Sequence, residues 1–130
     1  MDSVVSGSVS SVLVADLVVI ASSQTSNLED ATDVFDAFAK RVIYLGYVGA
    51  GKSMQFAVNL IVYILNSVVA EGLLLAVRSG IQSETAYEMF QNSATAAPLI
   101  DYKKMVFLDQ NSPLSMNLDL VLKNLDLIVI

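Results

Sequence analysis

The 130-residue chain contains no cysteine and no histidine. Without cysteine there is no disulfide, no thiol nucleophile and no cysteine-based metal site. Without histidine it lacks the commonest general base near neutral pH and the commonest zinc ligand. Any acid–base chemistry must therefore rest on Lys, Tyr, Asp or Glu. Basic residues are also few, seven Lys and Arg against 13 Asp and Glu, giving a formal net charge of −6. They are scattered rather than clustered, which excludes the basic stripe that phosphate neutralisation requires, so nucleic acid is not an expected partner. The opening residues, Met1 to Ser8, hold no basic segment followed by an apolar block. No secretory signal is expected from them, and a cytoplasmic location follows as the expectation.

What the chain has in abundance is apolar surface. It is 55% hydrophobic, with a mean hydropathy of +0.62. That exceeds an average soluble domain, and it is more than a chain of this length buries alone. A partner domain, a partner subunit or a membrane would account for the excess. The length suits one domain or a piece of a two-domain protein.

The first third reads as an α/β piece. Ser3-Val-Val-Ser6 is extended, with Gly7 as the turn after it, and Leu13 to Ala21 is a β-branched run expected to be a buried strand. Asn27 is placed to cap a helix from Leu28 to about Arg41, with Glu29 and Asp30 in its first turn and Lys40 and Arg41 in its last. Leu28, Ala31, Val34, Phe35, Phe38 and Ala39 recur at helical spacing as its buried face. Val42 to Leu45 follows as a strand.

From Gly51 the character changes to all-α. Lys52 to about Ser79 reads as one long helix, with Gly80 suited to its C-terminal cap. By length its apolar stretch, Phe56 to Val77, could span a bilayer. Asn59, Asn66, Ser67 and Glu71 interrupt it, so a central buried helix is expected and no membrane partner. Helices over Ser83 to Ser93, Ala96 to Asp109 (Pro98 near its start) and Met116 to Ile130 complete the chain, with Asn111 to Pro113 as a loop. The pattern stops mid-helix on Leu-Ile-Val-Ile, which suggests truncation.

The chain is organised around the turn between these parts. Gly46-Tyr-Val-Gly-Ala-Gly-Lys-Ser53 fits the P-loop pattern G-x-x-x-x-G-K-[ST]. In that reading Lys52 clamps a phosphate and Ser53 ligates magnesium. A nucleotide hydrolase also needs a second strand ending in a metal-orienting Asp, yet Asp101, Asp109, Asp119 and Asp126 all fall in expected helices or loops. The alternation of strands and helices also stops after Gly80. A third alternative is a non-catalytic helical dimerisation module.

More of the chain carries a different reading. Asp2-Ser-Val-Val-Ser-Gly-Ser8 resembles the D-A-P-V-S-G-G segment of the β-hydroxyacid dehydrogenases, the family of 3-hydroxyisobutyrate and tartronate semialdehyde reductases and the 6-phosphogluconate dehydrogenase-like enzymes. Gly46, Gly49 and Gly51 resemble its G-x-x-G-x-G hinge. Asn59, Ala70-Glu71 and Gly80-Ile81 fall where its long helix has an asparagine, an Ala-Glu pair and a terminal Gly-Leu. Pro113 to Leu125 is similar to its closing K-D-L signature.

The resemblance implies a mixed α/β remnant followed by an all-α part: residues 1–45 as the edge of an NAD(P)-binding Rossmann domain, residues 46–130 as a truncated helical domain. It implies NAD or NADP as cofactor, a small 3-hydroxy acid as substrate and a homo-oligomer, expected to be a dimer. The nucleotide fingerprint G-x-G-x-x-G would lie before Met1; Met54 stands where the hinge would need a third glycine to replace it.

Residue by residue, the resemblance gives Ser6 and Gly7 to a substrate carboxylate, Asn59 to its hydroxyl and Lys123 to the nicotinamide. The catalytic lysine position is occupied by Gln55, whose amide cannot exchange a proton near neutral pH. Lys52 lies three residues earlier, about 300° around the helix, and does not replace it by register. Val58, Val4, Ser8 and Asn124 also depart from the family's asparagine, proline, glycine and aspartate. The expectation is a chain that is weak or inactive by itself. Each of these residues also has a structural reading. Ser6-Gly7 could be only a turn, Asn59 and Asn66 helix contacts, Lys123 a solvated or snorkelling side chain and Glu71 the buried partner of Arg78 or of a residue on another helix. The Phe and Met side chains read as core, and Tyr44, Tyr47 and Tyr63 as packing at the hinge.

Overall fold

Leu17-Val-Val-Ile-Ala-Ser22 has too little polarity for a strand with one wet face, and it becomes the centre of a three-stranded sheet. The computed structural model describes residues 1–7, 9–109, 111–113 and 117–128. Its elements are β1 (Asp2–Ser6), α1 (Val9–Leu13), β2 (Leu17–Ser22), α2 (Thr25–Asp36), β3 (Ala39–Tyr44), α3 (Ala50–Arg78), α4 (Ser83–Asn92), α5 (Pro98–Leu108) and α6 (Leu118–Asp126). The chain divides into two compact units, Met1–Asn59 and Leu60–Ile130, with α3 contributing to both.

In the first unit β2 pairs antiparallel with β1 and parallel with β3. A parallel neighbour needs a crossover, and α2 supplies it, making β2–α2–β3 a βαβ unit. Val19 and Ala21 are fully buried, and with Phe35 they form a core covered by Leu28, Ala31, Phe38, Ala39 and Val42. Phe35 and Phe38 meet edge to face, their centroids 6.2 Å apart.

Three expectations are corrected here. The buried strand begins at Leu17, not Leu13, because Val9–Leu13 forms a short helix and Ala15 turns the chain at φ 52°. The crossover helix runs from Thr25 to Asp36, and Asn27 lies inside it. Lys40 and Arg41 therefore do not close a helix; they lie in β3, where pairing with β2 overrides local helix preference. The register shifts between Leu17 and Val18, whose partners are Ala39 and Arg41, so Lys40 is the extra residue of a bulge. Its ammonium sits 3.0 Å from the Asp16 carboxylate.

In the second unit, Val69 of α3, Tyr87 of α4 and Ile100 of α5 form the buried cluster, with Leu65, Leu73, Phe90 and Phe107 against it. The Tyr87 ring lies 5.8 Å from that of Phe107, and its hydroxyl donates to the Ile100 carbonyl at 2.9 Å. Helix α3 ends as the sequence implies: Gly80 has φ 85°, and the Gly80 and Ile81 amides bond back to Val77 and Ala76, a Schellman closure. Asn117 caps α6 by accepting from the Leu120 amide at 2.9 Å, and Asn124 donates to the Tyr63 hydroxyl at 2.7 Å. The expected start of the last helix at Met116, and the end of the chain at 129–130, lie outside the described residues.

The expected central burial of the long helix is not observed. Helix α3 is long and apolar enough to cross a membrane by length and composition, and only 6% of its most apolar window is buried. Glu71 is exposed rather than held by a buried partner. Met54, Met89 and Met105 are exposed as well, so they are not core in this chain, and Tyr47, expected to pack at the hinge, is 76% exposed.

Two outcomes follow from this packing. Burial, and to a lesser degree Asp101, push the Tyr87 hydroxyl up to about 12 from its ordinary 10.0. The folded state thus favours the neutral phenol: its contribution is complete below pH 10 and is lost as pH rises from 10 toward 12. Chemical denaturation at pH 8 and at pH 11 should show this loss, and Tyr87→Phe should remove the Tyr87 share of it. At pH 8 the same substitution removes the hydroxyl's bond to the Ile100 carbonyl, which keeps its helical partner, and should cost about 0.5–1.5 kcal/mol. Separately, Gly7 has φ +147°, and a Cβ there would meet Leu17 Cδ2 at 2.5 Å. Gly7→Ala should destabilise the first unit by roughly 1–3 kcal/mol, read as a lower denaturation midpoint.

Candidate functional site

The glycine turn begins as β3 leaves the sheet. The Leu45 amide still bonds to Ala21, and the Ser23 amide bonds to the Gly46 carbonyl, so the turn is stitched to the end of β2. Gly46 and Gly49 take φ values of 81° and 98°, conformations that L side chains rarely adopt. Tyr44 donates its hydroxyl to the Ser23 carbonyl, in keeping with a packing role at the hinge.

Gly51 is required for a different reason. A Cβ on it would lie 3.2 Å from Ser22 Oγ and 3.3 Å from the Ile20 carbonyl oxygen. This close approach lets the Gly51 amide donate to Ser22 Oγ at 3.2 Å. Ser22 is fully buried, and its hydroxyl points toward Asp2, 3.4 Å from both the backbone and a carboxylate oxygen. The first turn of α3 is thereby fixed to β1 and β2 at once.

That geometry removes the physical basis for a phosphate cradle. A P-loop aims its backbone amides at the anion. Here the Gly51 amide is spent on Ser22, and the Ala50 and Ser53 amides bond to Tyr47 and Gly49 carbonyls. The Ser53 hydroxyl donates to the Gly49 carbonyl at 3.3 Å instead of facing a metal ion, and Lys52 is exposed. Among the described residues no cluster of three or more acidic side chains could hold a metal.

One turn beyond Gly51 on the same face is Gln55. It is half-buried, and its amide Nε2 donates to the Val5 carbonyl at 3.3 Å. Val5 immediately precedes Ser6, the last residue of β1, and Gly7. The structure thus brings Gln55 to the strand end that carries Ser6 and Gly7. Asn59, four residues further, continues this helical spacing and is half-buried. Lys123 is exposed on α6 in the second unit. Ser8 lies outside the described residues, as do residues 114–116 within the stretch from Pro113 to Leu125.

The Ser22–Gly51 contact was missed by reasoning from the sequence. Its only signal was the serine closing an otherwise apolar strand. Asn66, by contrast, bonds within its own helix, to the Val62 carbonyl at 2.8 Å, and not to a neighbouring helix. As a dinucleotide site the glycine turn does not fit: its Gly51 amide is engaged and no third glycine follows. Within this chain the residues of the turn supply no pyrophosphate cradle.

Comparison with known proteins supports the resemblance read from the sequence. Glyoxylate/succinic semialdehyde reductase 1 of Arabidopsis thaliana is 33% identical over 87 residues, covering 67% of this chain and 30% of that protein. Cytokine-like nuclear factor N-PAC of Homo sapiens is 28% identical over 113 residues, 87% of this chain and 20% of that protein. The chain thus spans less than a third of these relatives.

Among solved structures, a 3-hydroxyisobutyrate dehydrogenase from Salmonella typhimurium matches with a TM-score of 0.88 and 23% identity, over 98% of this chain and 45% of that one. Psf3 in complex with NADP+ and 2-OPP matches with a TM-score of 0.89 and 19% identity, over 97% and 44%. These identities establish the shared fold, a three-stranded sheet followed by helices. The family described as "NAD-binding of NADP-dependent 3-hydroxyisobutyrate dehydrogenase" matches residues 49–129. By that match, over more than half of its length, the chain belongs to the NADP-dependent 3-hydroxyisobutyrate dehydrogenase family.

Proposed function

We propose that this chain is part of an NAD(P)-dependent oxidoreductase acting on a small 3-hydroxy acid, and that by itself it is catalytically weak or inactive. Family membership and the shared fold support the first half of this reading. The observation that carries the second half is Gln55, at the position where the resemblance puts a catalytic lysine, with its amide bonded to the Val5 carbonyl.

In this reading residues 1–45 are the edge of the nucleotide-binding domain and residues 46–130 the helical domain. Ser6 and Gly7 hold the substrate carboxylate, Asn59 its hydroxyl, and Lys123 lies near the nicotinamide. NAD or NADP, when bound, supplies hydride acceptance. What this chain lacks is a group to hold the proton that leaves the substrate hydroxyl. A carboxamide neither accepts nor releases a proton near neutral pH, and its donor here is engaged by a backbone carbonyl. Gln55 therefore orients β1 against α3 and leaves proton transfer to solvent. The protein is a homo-oligomer in this reading and is located in the cytoplasm.

The test is steady-state oxidation of a panel of small 3-hydroxy acids with NAD+ and with NADP+. Loss of the acid/base group alone lowers rates by roughly 10²–10⁴. The purified chain should fall at least that far below the 1–10³ s⁻¹ usual for enzymes. Turnover within the usual range would overturn the assignment of Gln55.

A further inference from the structure

Gln55 and Asn59 are half-buried carboxamides one helical turn apart on α3. They are held differently. Gln55 Nε2 donates to the Val5 carbonyl at 3.3 Å. That bond fixes which way round the amide lies, because the reverse would set Oε1 against a carbonyl oxygen, two acceptors with no proton between them. The nitrogen and both its hydrogens are drawn to β1. Oε1 accepts from no group among the described residues and is the end left for a ligand. Asn59 makes no side-chain hydrogen bond among the described residues, so its amide is free to present either end.

We propose that Gln55 selects the oxidation state of the ligand: the strand end at Ser6 and Gly7 takes a small acid bearing a 3-hydroxyl and rejects the matching 3-oxo acid. The proposal deepens the site assignment made above for Ser6, Gly7 and Asn59 and rests on it.

A hydroxyl both donates and accepts, whereas a ketone oxygen only accepts. A hydroxyl held by the two amides donates to Gln55 Oε1 and accepts from Asn59. A ketone in the same place takes the Asn59 donor but has no proton for Oε1. That oxygen is then stripped of water and left unpaired, beside a second partial negative charge. A lysine at 55 would draw no such distinction, since an ammonium has three donors and no acceptor and serves alcohol and ketone alike. The residue that removes proton exchange from the site therefore adds an acceptor to it. The consequence is a chain that holds the reduced acid without turning it over. One neutral hydrogen bond made or lost changes affinity by roughly two- to tenfold.

Titration of the full chain with 3-hydroxybutanoate and with acetoacetate, followed by amide nuclear magnetic resonance, tests this. The two anions share a carbon skeleton and a charge and differ only at C3. A ketone is the right probe because aldehydes hydrate to diols. Butanoate, with no oxygen at C3, reports the carboxylate contacts alone. The signals of Val5 to Gly7 and the Gln55 side-chain amide should shift saturably with each ligand. 3-Hydroxybutanoate should bind roughly two- to tenfold more tightly than acetoacetate. In Gln55→Lys and in Gln55→Met the two should bind equally. The preference is a ratio measured on one variant, so any folded chain lost with the Val5 bond cancels from it.

Equal affinity of the wild-type chain for the two acids, or tighter binding of acetoacetate, would overturn the selection and leave the carboxylate site standing. A preference that survives both Gln55→Lys and Gln55→Met would take the selection away from Gln55. No shift with any of the ligands, butanoate included, would overturn the assignment of Ser6 and Gly7 and the selection with it.

Discussion

The first unit depends on a contact in which a helix backbone touches a strand with nothing between them. Gly51 packs on the Ile20 carbonyl and on Ser22, and its amide donates to the buried Ser22 hydroxyl. Burying a hydroxyl without partners would cost free energy comparable to a lost hydrogen bond. The helix amide and the Asp2 oxygens next to it remove that cost. In the same contact the direction of α3 is set relative to β1 and β2. Gln55, one turn on, then lies within reach of the Val5 carbonyl. The candidate site is a consequence of where the helix starts.

This gives the glycines of the turn two distinct functions. Gly46 and Gly49 supply backbone conformations with positive φ, and Gly51 supplies the absence of a side chain. Read as letters, the three glycines with Lys52 and Ser53 describe a phosphate-binding loop. Their hydrogen bonds describe a hinge, because the Ala50, Gly51 and Ser53 amides, which would help hold an anion, hold strand and turn oxygens. A pattern of eight residues specifies a local shape, and the partners of its amides decide what that shape does.

Much of the fold was legible. The long helix, its closure at Gly80, the helix opened by Pro98 and the family resemblance all follow from features that act within a few residues. Where local signals failed, tertiary pairing had won. Lys40 and Arg41 suit a helix C-terminus, but residues 39–44 pair with the most apolar strand in the chain. The burial of α3 was misread because hydrophobicity states a preference for being covered and does not name the cover. The site was legible only as positions. That Gln55 stands on the helix face toward β1, with its amide tied to Val5, required the structure, because the Gly51 contact that sets this face has no sequence motif.

The central claim is that the turn before α3 is a structural hinge whose Ala50, Gly51 and Ser53 amides are already engaged. Amide-resolved nuclear magnetic resonance, with and without Mg-ATP, tests it most directly. The account predicts a Gly51 amide protected from hydrogen exchange, with the signals of Gly49 to Ser53 unmoved at millimolar nucleotide, and protection lost in Ser22→Ala. Rapid exchange at Gly51, or saturable shifts of those amides on adding Mg-ATP, would contradict it.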